Sequence, residues 1–299
     1  MIRLIALAFL VCFSVNAYSQ VPFECDDNFH QVFSDEGSLM SYNVLTNTFV
    51  VAPNSLGEGV NAMGYRLADN LAYGIISSTN QLVQMAADGS AVGLGGVTGL
   101  PNANYPAGDF ASDGLLYVYR GLAPFLNMLF VIDVETVEVV NVINLAGPTF
   151  SVADMAFNPV DGLFYGVSSG AVGSDVPALS LVAIDPDAGT IEVIGPTNIP
   201  EEDAGFGSMY ADGSGRVYGG STRDLGIFYE LNTGTGNGKA LGDTFTGDNG
   251  GGVDGFFCSA NAGPLSRAVP TLSQWGLIAM AGVLGIVGFM VMRRRKLTV

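Results

Sequence analysis

Residues 153–170, ADMAFNPVDGLFYGVSSG, and residues 179–196, LSLVAIDPDAGTIEVIGP, are the part of the sequence that decides the fold. Short apolar runs of strand length alternate in them with Pro, Asp and Gly, which favour tight turns. The pattern predicts four strands joined by hairpins, with Tyr165 on the second strand and Gly189 in the turn before the fourth. A four-stranded antiparallel unit of this length is typical of one β-propeller blade.

The same order of turn, tyrosine and hairpin recurs along the chain at residues 64–96, 108–143 and 207–242. A repeat of about 45 to 50 residues is typical of propeller blades. We expect the equivalent tyrosines to pack between neighbouring blades. These tyrosines are Tyr73, Tyr117, Tyr165 and Tyr218.

The two ends of the repeat region supply a fifth, split copy of the unit. GVDGFFC at 252–258 matches a first strand without its successors, and FHQVFS, SLMSYNV and NTFVV near the N-terminus match second, third and fourth strands without a first. Joining them closes a ring and removes the sheet edge that a linear array exposes. The sequence therefore predicts an all-β, five-bladed β-propeller over residues 25–260, with six blades as the alternative if residues 98–107 contain an extra strand.

Two of the three cysteines flank the repeats, whereas Cys12 lies in the N-terminal apolar run. An even pair in an exported chain predicts a disulfide, and two cysteines allow a single intramolecular pairing. Ring closure places Cys25 and Cys258 on the same blade. We therefore expect these two residues to be bonded to each other.

The N-terminus has the pattern of a secretory signal peptide over residues 1–19. Arg3 provides the positive charge, residues 4–15 form an apolar run too short to span a bilayer comfortably, and Ala17 and Ser19 are small residues before a cleavage site. The chain carries 28 acidic and 11 basic residues, a net charge of −17. Such a surface repels nucleic acid, so we expect no nucleic-acid partner.

The C-terminal residues 269–299 combine three features behind a short polar linker at 261–268. A VPTLSQWG box is followed by an uncharged apolar span and then by RRRK at 293–296. Residues 275–292 are just long enough to cross a bilayer as a helix, and the basic cluster would stay on the cytoplasmic side. A transmembrane helix at 275–292 would anchor the exported body by its tail.

This tail resembles the IPTL-CTERM sorting signal of bacterial surface proteins, a relative of the PEP-CTERM system, with Val269 where the usual residue is Ile. The resemblance implies recognition by a membrane-embedded exosortase-type enzyme, which would cut near the box and pass the body to the cell envelope or surface. A permanent single-span anchor is the alternative. The residues that carry the resemblance are Val269, Pro270, Thr271, Leu272, Trp275, Gly276, Arg293, Arg294 and Arg295.

Asp109, Asp154 and Asp254 lie near the starts of predicted first strands, which line the central channel of a propeller. Crowded carboxylates form a cation or ligand site if nothing else satisfies them. Alternatively, each caps the backbone of its own strand or binds channel water. Weak Ca²⁺ binding by the acidic or Gly-rich loops at 201–207 and 247–252 is a further interpretation, and no other cofactor is expected.

No recognised catalytic motif is present, and the single histidine, His30, has no nucleophile or metal ligand beside it in the sequence. The body resembles a bacterial family of uncharacterised secreted propellers with a loose "lYg … l..id..tG" pattern, which implies a fold and no activity. The sequence favours a non-enzymatic, exported propeller with a binding or structural role at the envelope, with a polysaccharide or protein as ligand. The alternative is an extracellular hydrolase or lyase that uses the channel carboxylates, with Ca²⁺ as a candidate cofactor.

Overall fold

The computed structural model describes residues 20–258, except for residues 27, 34–35, 44–45, 47, 122, 172, 201–204, 222–226 and 242–252. The chain separates into two compact units, Met1–Pro264 and Leu265–Val299, and every described residue belongs to the first. Twenty strands form five four-stranded antiparallel sheets in this part of the chain. The protein is a five-bladed β-propeller, as the repeats predict.

Each blade runs from an inner strand at the axis to an outer strand at the rim. Blade 1 consists of β20 (Val253–Phe256), β1 (Asn28–Phe33), β2 (Ser38–Asn43) and β3 (Thr48–Ser55). Blade 2 consists of β4 (Val60–Arg66), β5 (Leu71–Ile76), β6 (Gln81–Met85) and β7 (Ala91–Gly96). Blade 3 consists of β8 (Ala107–Phe110), β9 (Leu116–Tyr119), β10 (Met128–Asp133) and β11 (Glu138–Asn144).

The last two blades follow the same order. Blade 4 consists of β12 (Ala156–Phe157), β13 (Phe164–Val167), β14 (Ser180–Asp185) and β15 (Thr190–Pro196). Blade 5 consists of β16 (Phe206–Ala211), β17 (Val217–Ser221), β18 (Phe228–Leu231) and β19 (Gly238–Ala240). Residues 97–106 contain no strand, only a bridge between Thr98 and Glu138, so the six-blade alternative is wrong.

Blade 1 joins the two ends of the repeat region. The last strand β20 pairs antiparallel with β1, with His30 opposite Phe256 and Val32 opposite Asp254. Cys25 and Cys258 form a disulfide across this junction, with their Cα atoms 5.3 Å apart. The closure predicted from the incomplete strand patterns is therefore confirmed, and the covalent bond lies where the pairing ends.

The hydrophobic core lies between blades rather than in one central mass. Separate clusters of buried side chains fill the gaps between blades 1 and 2, 2 and 3, 3 and 4, and 4 and 5. Between blades 5 and 1, the Phe29 ring packs against Tyr210, Tyr218 and Phe228. Each repeat tyrosine faces the following blade, which confirms the predicted packing.

None of the described residues forms a helix long and apolar enough to cross a membrane. The predicted signal peptide at 1–19, linker at 261–268 and span at 275–292 all lie outside the described residues.

Candidate functional site

Asp154 lies at the axis, just before the inner strand of blade 4. Its Oδ1 accepts a hydrogen bond from the backbone N–H of Met155 at 2.7 Å. Its Oδ2 accepts from Met209 N–H in blade 5 at 2.6 Å and from Gly255 N–H in blade 1 at 3.3 Å. One buried carboxylate therefore binds the inner strands of three blades.

Asp109 and Asp254 make the same kind of connection. Asp109 accepts from Phe110 N–H in its own strand at 2.8 Å and from Phe157 N–H in blade 4 at 2.9 Å. Asp254 accepts from Gly255 N–H at 2.7 Å and from Met63 N–H in blade 2 at 3.2 Å. Both oxygens of all three carboxylates are thus hydrogen-bond acceptors for backbone.

The three acids are close enough to repel one another. Desolvation raises the pKa of Asp154 well above its usual value, and the nearby Asp254 raises it further. Desolvation likewise raises the pKa of Asp254, while N–H donors from Met63 and Gly255 oppose the shift. The protein packed around Asp109 raises the pKa of that carboxyl to about 7, against the lowering effect of its two N–H donors. Burial thus favours the protonated forms of this group of acids.

A second polar group lies beside the acids. The Gln31 amide donates to the Ser208 hydroxyl at 3.0 Å, linking blade 1 to blade 5. The buried Tyr210 hydroxyl lies next to both residues, yet no hydrogen bond of normal geometry from the described residues reaches it. A side chain at Gly255 would meet this hydroxyl at 2.7 Å, which explains glycine there. The Ser208 and Tyr210 side chains of blade 5 therefore pack directly against the backbone of Gly255 in blade 1.

The structure brings the three predicted acids together and gives each of them backbone partners on two or more inner strands. Each aspartate thus caps the backbone of its own strand, as in the second interpretation above, and also accepts a hydrogen bond from the backbone of a neighbouring blade. Within the described part of the chain, no three His, Cys, Asp or Glu side chains are placed so that they would hold a metal ion. Through these hydrogen bonds the three acids connect the inner strands of all five blades.

A hydrogen bond between a turn aspartate and the repeat tyrosine occurs in blades 2 to 5, and the sequence reasoning missed it. In blade 4 the Tyr165 hydroxyl donates to Asp161 Oδ2 at 2.9 Å, while Asp161 Oδ1 accepts from Leu163 N–H at 3.0 Å. The carboxylate thereby holds both the tight turn and the tyrosine of the following strand. The other pairs are Asp69–Tyr73, Asp113–Tyr117 and Asp212–Tyr218.

The single histidine packs in the interior of blade 1. His30 lies buried on β1, stacked on the Phe256 ring, with Nδ1 2.9 Å from the Ser41 hydroxyl. Burial lowers the pKa of His30 to about 4. The predicted sorting residues 269–276 and 293–295, and most of the predicted Ca²⁺ loops, lie outside the described residues.

Comparison with known families identifies the body and the tail separately. A repeat of unknown function, DUF6923, matches residues 31–253, which is most of the chain. The chain belongs to the DUF6923 family. In this DUF6923 chain the IPTL-CTERM motif matches residues 267–295, which confirms the predicted sorting signal. No curated protein matches the chain.

Three solved structures that resemble the DUF6923 chain share little sequence with it. A catalytically inactive virginiamycin B lyase from Staphylococcus aureus with quinupristin shares 10% identity and a TM-score of 0.43, covering 74% of this chain and 72% of that one. The hydrazine synthase of Kuenenia stuttgartiensis shares 14% identity and a TM-score of 0.39, covering 76% of this chain and 71% of that one. A chain of a nidogen–laminin complex shares 13% identity and a TM-score of 0.49, covering 73% of this chain and 80% of that one. At these values the likeness carries no argument about function.

Proposed function

We propose that this protein is an exported propeller that an exosortase-type enzyme sorts to the cell envelope, where the closed ring serves as a binding module. The observation that carries the proposal is the IPTL-CTERM motif at 267–295, which follows in the sequence the ring that ends at Cys258. The disulfide supports export, because such bonds persist in oxidising compartments.

The route has three steps in this proposal. Residues 1–19 direct export and are removed, residues 275–292 hold the tail in the membrane, and the box around Pro270 and Trp275 is recognised for sorting. Arg293, Arg294 and Arg295 keep the end of the tail on the cytoplasmic side. The propeller then remains outside, tethered or released.

A binding role suits the ring better than the enzymatic alternative. In a hydrolase or lyase the channel carboxylates Asp109, Asp154 and Asp254 would do the chemistry, and each of them already accepts a hydrogen bond from a backbone N–H of another blade. No observation on the described residues favours the hydrolase or lyase alternative. An envelope polysaccharide or protein is the class of ligand that the location suggests.

Sorting is tested by following tagged protein in a bacterium that contains an exosortase-type enzyme. Trp275→Ala alters the box and leaves the apolar span and arginines intact, so the protein should accumulate uncut in the inner membrane. Leu265→Ala, in the preceding linker, is the matched control and should be sorted like wild type. Normal tail processing of Trp275→Ala would contradict the proposal.

A further inference from the structure

A cavity of about 600 Å³ opens where the inner hairpins of blades 2, 3 and 4 turn. Its walls come from the turn after β4, the turn after β8, the turn after β10 and the start of the turn after β12. Volumes of this size are typical of sites for small organic ligands. Three blades contribute to it, so the closed ring positions the site.

The floor and one rim of the cavity are apolar. Tyr65, Phe110 and Phe157, at the ends of three inner strands, are buried against the blades and line its floor. Leu67 lines the rim with 53% of its surface exposed, and Pro159 is a further apolar lining residue. These side chains offer a ring or short alkyl group an apolar surface to pack on.

The wall of the cavity also carries acidic side chains. Asp113, Asp133 and Glu135 all line the cavity, and Arg66 is the basic residue among its lining side chains. Arg66 is already paired with Asp69 at 3.1 Å and with Glu135 in blade 3. The Arg66 charge is therefore neutralised within the protein, and the wall keeps a negative excess.

The two remaining acids, Asp113 and Asp133, differ in the number of hydrogen bonds that their carboxylate oxygens accept. Asp113 accepts from Leu115 N–H at 3.0 Å and from the Tyr117 hydroxyl at 2.9 Å, one bond on each oxygen. Asp133 accepts from Glu135 N–H through Oδ1 at 2.9 Å, and no donor among the described residues reaches its Oδ2. A carboxylate oxygen beside an apolar cavity is a partner for a cationic group.

We propose that this cavity binds an organic cation, a primary ammonium or guanidinium group carried on an apolar or ring framework. Asp133 pairs with the cation, Asp113 adds to the attraction, and the framework packs between Leu67 and the aromatic floor. This inference rests on the binding role proposed above and names the chemistry of its ligand. The surplus of negative charge on the chain favours the approach of cations.

The test uses purified full-length protein in a non-ionic detergent, with benzylammonium as probe and calorimetric titration against protein-free micelles as blank. We expect saturable binding with a Kd on the order of 1 mM, as is normal for so small a fragment. Benzyl alcohol and benzoate should bind at least about tenfold more weakly, because they lack the charge or reverse it. Equal affinity for benzoate, or no saturation by benzylammonium below about 20 mM, would overturn the proposal.

Asp133→Asn removes the charge but keeps the acceptor for the turn, and should raise the Kd roughly fivefold. Asp185→Asn is the matched control, since Asp185 holds the corresponding turn of blade 4 through the N–H of Asp187 at 2.9 Å. It should leave the Kd within about twofold of wild type. Equal Kd values for the two variants would contradict the assignment. If Asp133→Asn fails to fold, Leu67→Asn at the exposed rim replaces it, with the same expected direction.

The result is independent of sorting. Binding is measured on the purified chain, whereas localisation is measured in cells. Failure of benzylammonium to bind would reject the ligand assignment while leaving the sorting result intact.

Discussion

The Asp154 carboxylate of blade 4 accepts a hydrogen bond from the backbone N–H of Met209 in blade 5 at a distance of 2.6 Å. Backbone N–H groups that face another blade across the axis have no partner in their own sheet. A buried N–H without an acceptor is costly, so an acceptor must come from a side chain. Asp154, with Asp109 and Asp254, supplies it.

Asp154→Ala should therefore destabilise the ring. The change leaves the N–H groups of Met155 and Met209 without their acceptor, whereas Gly255 N–H keeps its bond to Asp254. We expect a loss of about 3 kcal/mol in the free energy of unfolding. Urea unfolding followed by far-UV circular dichroism measures this loss of stability. Asp187→Ala, an exposed turn residue, is the control and should change stability by less than about 0.5 kcal/mol. A similarly small effect of Asp154→Ala would show that the N–H groups find other partners.

The stability should depend on pH in the direction opposite to that of ordinary salt-bridged carboxylates. The pKa of Asp109 is raised to about 7 in the folded protein by desolvation, and those of Asp154 and Asp254 are also raised. The folded state then binds more protons than the unfolded state between about pH 4 and 7, so the stabilisation present at low pH is lost as pH rises through that range. Burial lowers the pKa of His30 to about 4, so its effect on the pH dependence of stability has the opposite sign and offsets that of one buried carboxyl group.

Asp109→Asn isolates one contribution to this dependence. Removing the titrating group should flatten the rise in stability on acidification from pH 7 to pH 5, by at most about 1.4 kcal/mol per pH unit. Urea midpoints at pH 5, 6 and 7 in high salt measure the slope, because salt screens the general repulsion among surface acids. An unchanged slope in the variant would mean that Asp109 does not titrate in this range.

The Asp161–Tyr165 hydrogen bond should contribute to stability as a pair. Tyr165→Phe removes the donor at 2.9 Å, and we expect a loss of about 1 to 2 kcal/mol because the acceptor is charged. Asp161→Asn weakens the same bond while keeping an acceptor for the turn. A double-mutant cycle should give a coupling of at least about 0.5 kcal/mol. Additive effects of the two changes would argue against a direct interaction.

Breaking the disulfide should loosen the closure without altering the blades' internal pairing. The Cys25–Cys258 bond encloses 233 residues, so its loss should cost about 2 to 5 kcal/mol through the greater freedom of the unfolded chain. The double variant Cys25→Ser, Cys258→Ser should match reduced wild type in its urea midpoint. A midpoint insensitive to reduction would contradict this role.

The sequence was sufficient for features that depend on local pattern. Strand runs, Asp–Gly turns and the incomplete patterns at both ends predicted five blades and their closure, and Gly162, with φ of 79°, shows why glycine follows Asp161 in such a turn. The spacing of four residues in Asp69–Tyr73, Asp113–Tyr117 and Asp161–Tyr165 was also visible and would have predicted the hydrogen-bonded pairs.

Features that depend on distances between blades were beyond the sequence. Nothing near Asp154 in the chain indicates that Met209 and Gly255, 55 and 101 residues away, present their N–H groups to it. The cavity likewise needs Leu67, Asp133 and Phe157 from three different blades. Such sites arise only once the ring has set the positions of its turns.

Peptide mapping of the exported protein under non-reducing conditions tests the central claim most directly, namely a ring closed outside the cell by its own two ends. After proteolysis without reductant, mass spectrometry should find the peptide of Cys25 joined to the peptide of Cys258, in a chain that no longer begins at Met1. Free thiols at both cysteines in correctly folded, exported protein would contradict the account.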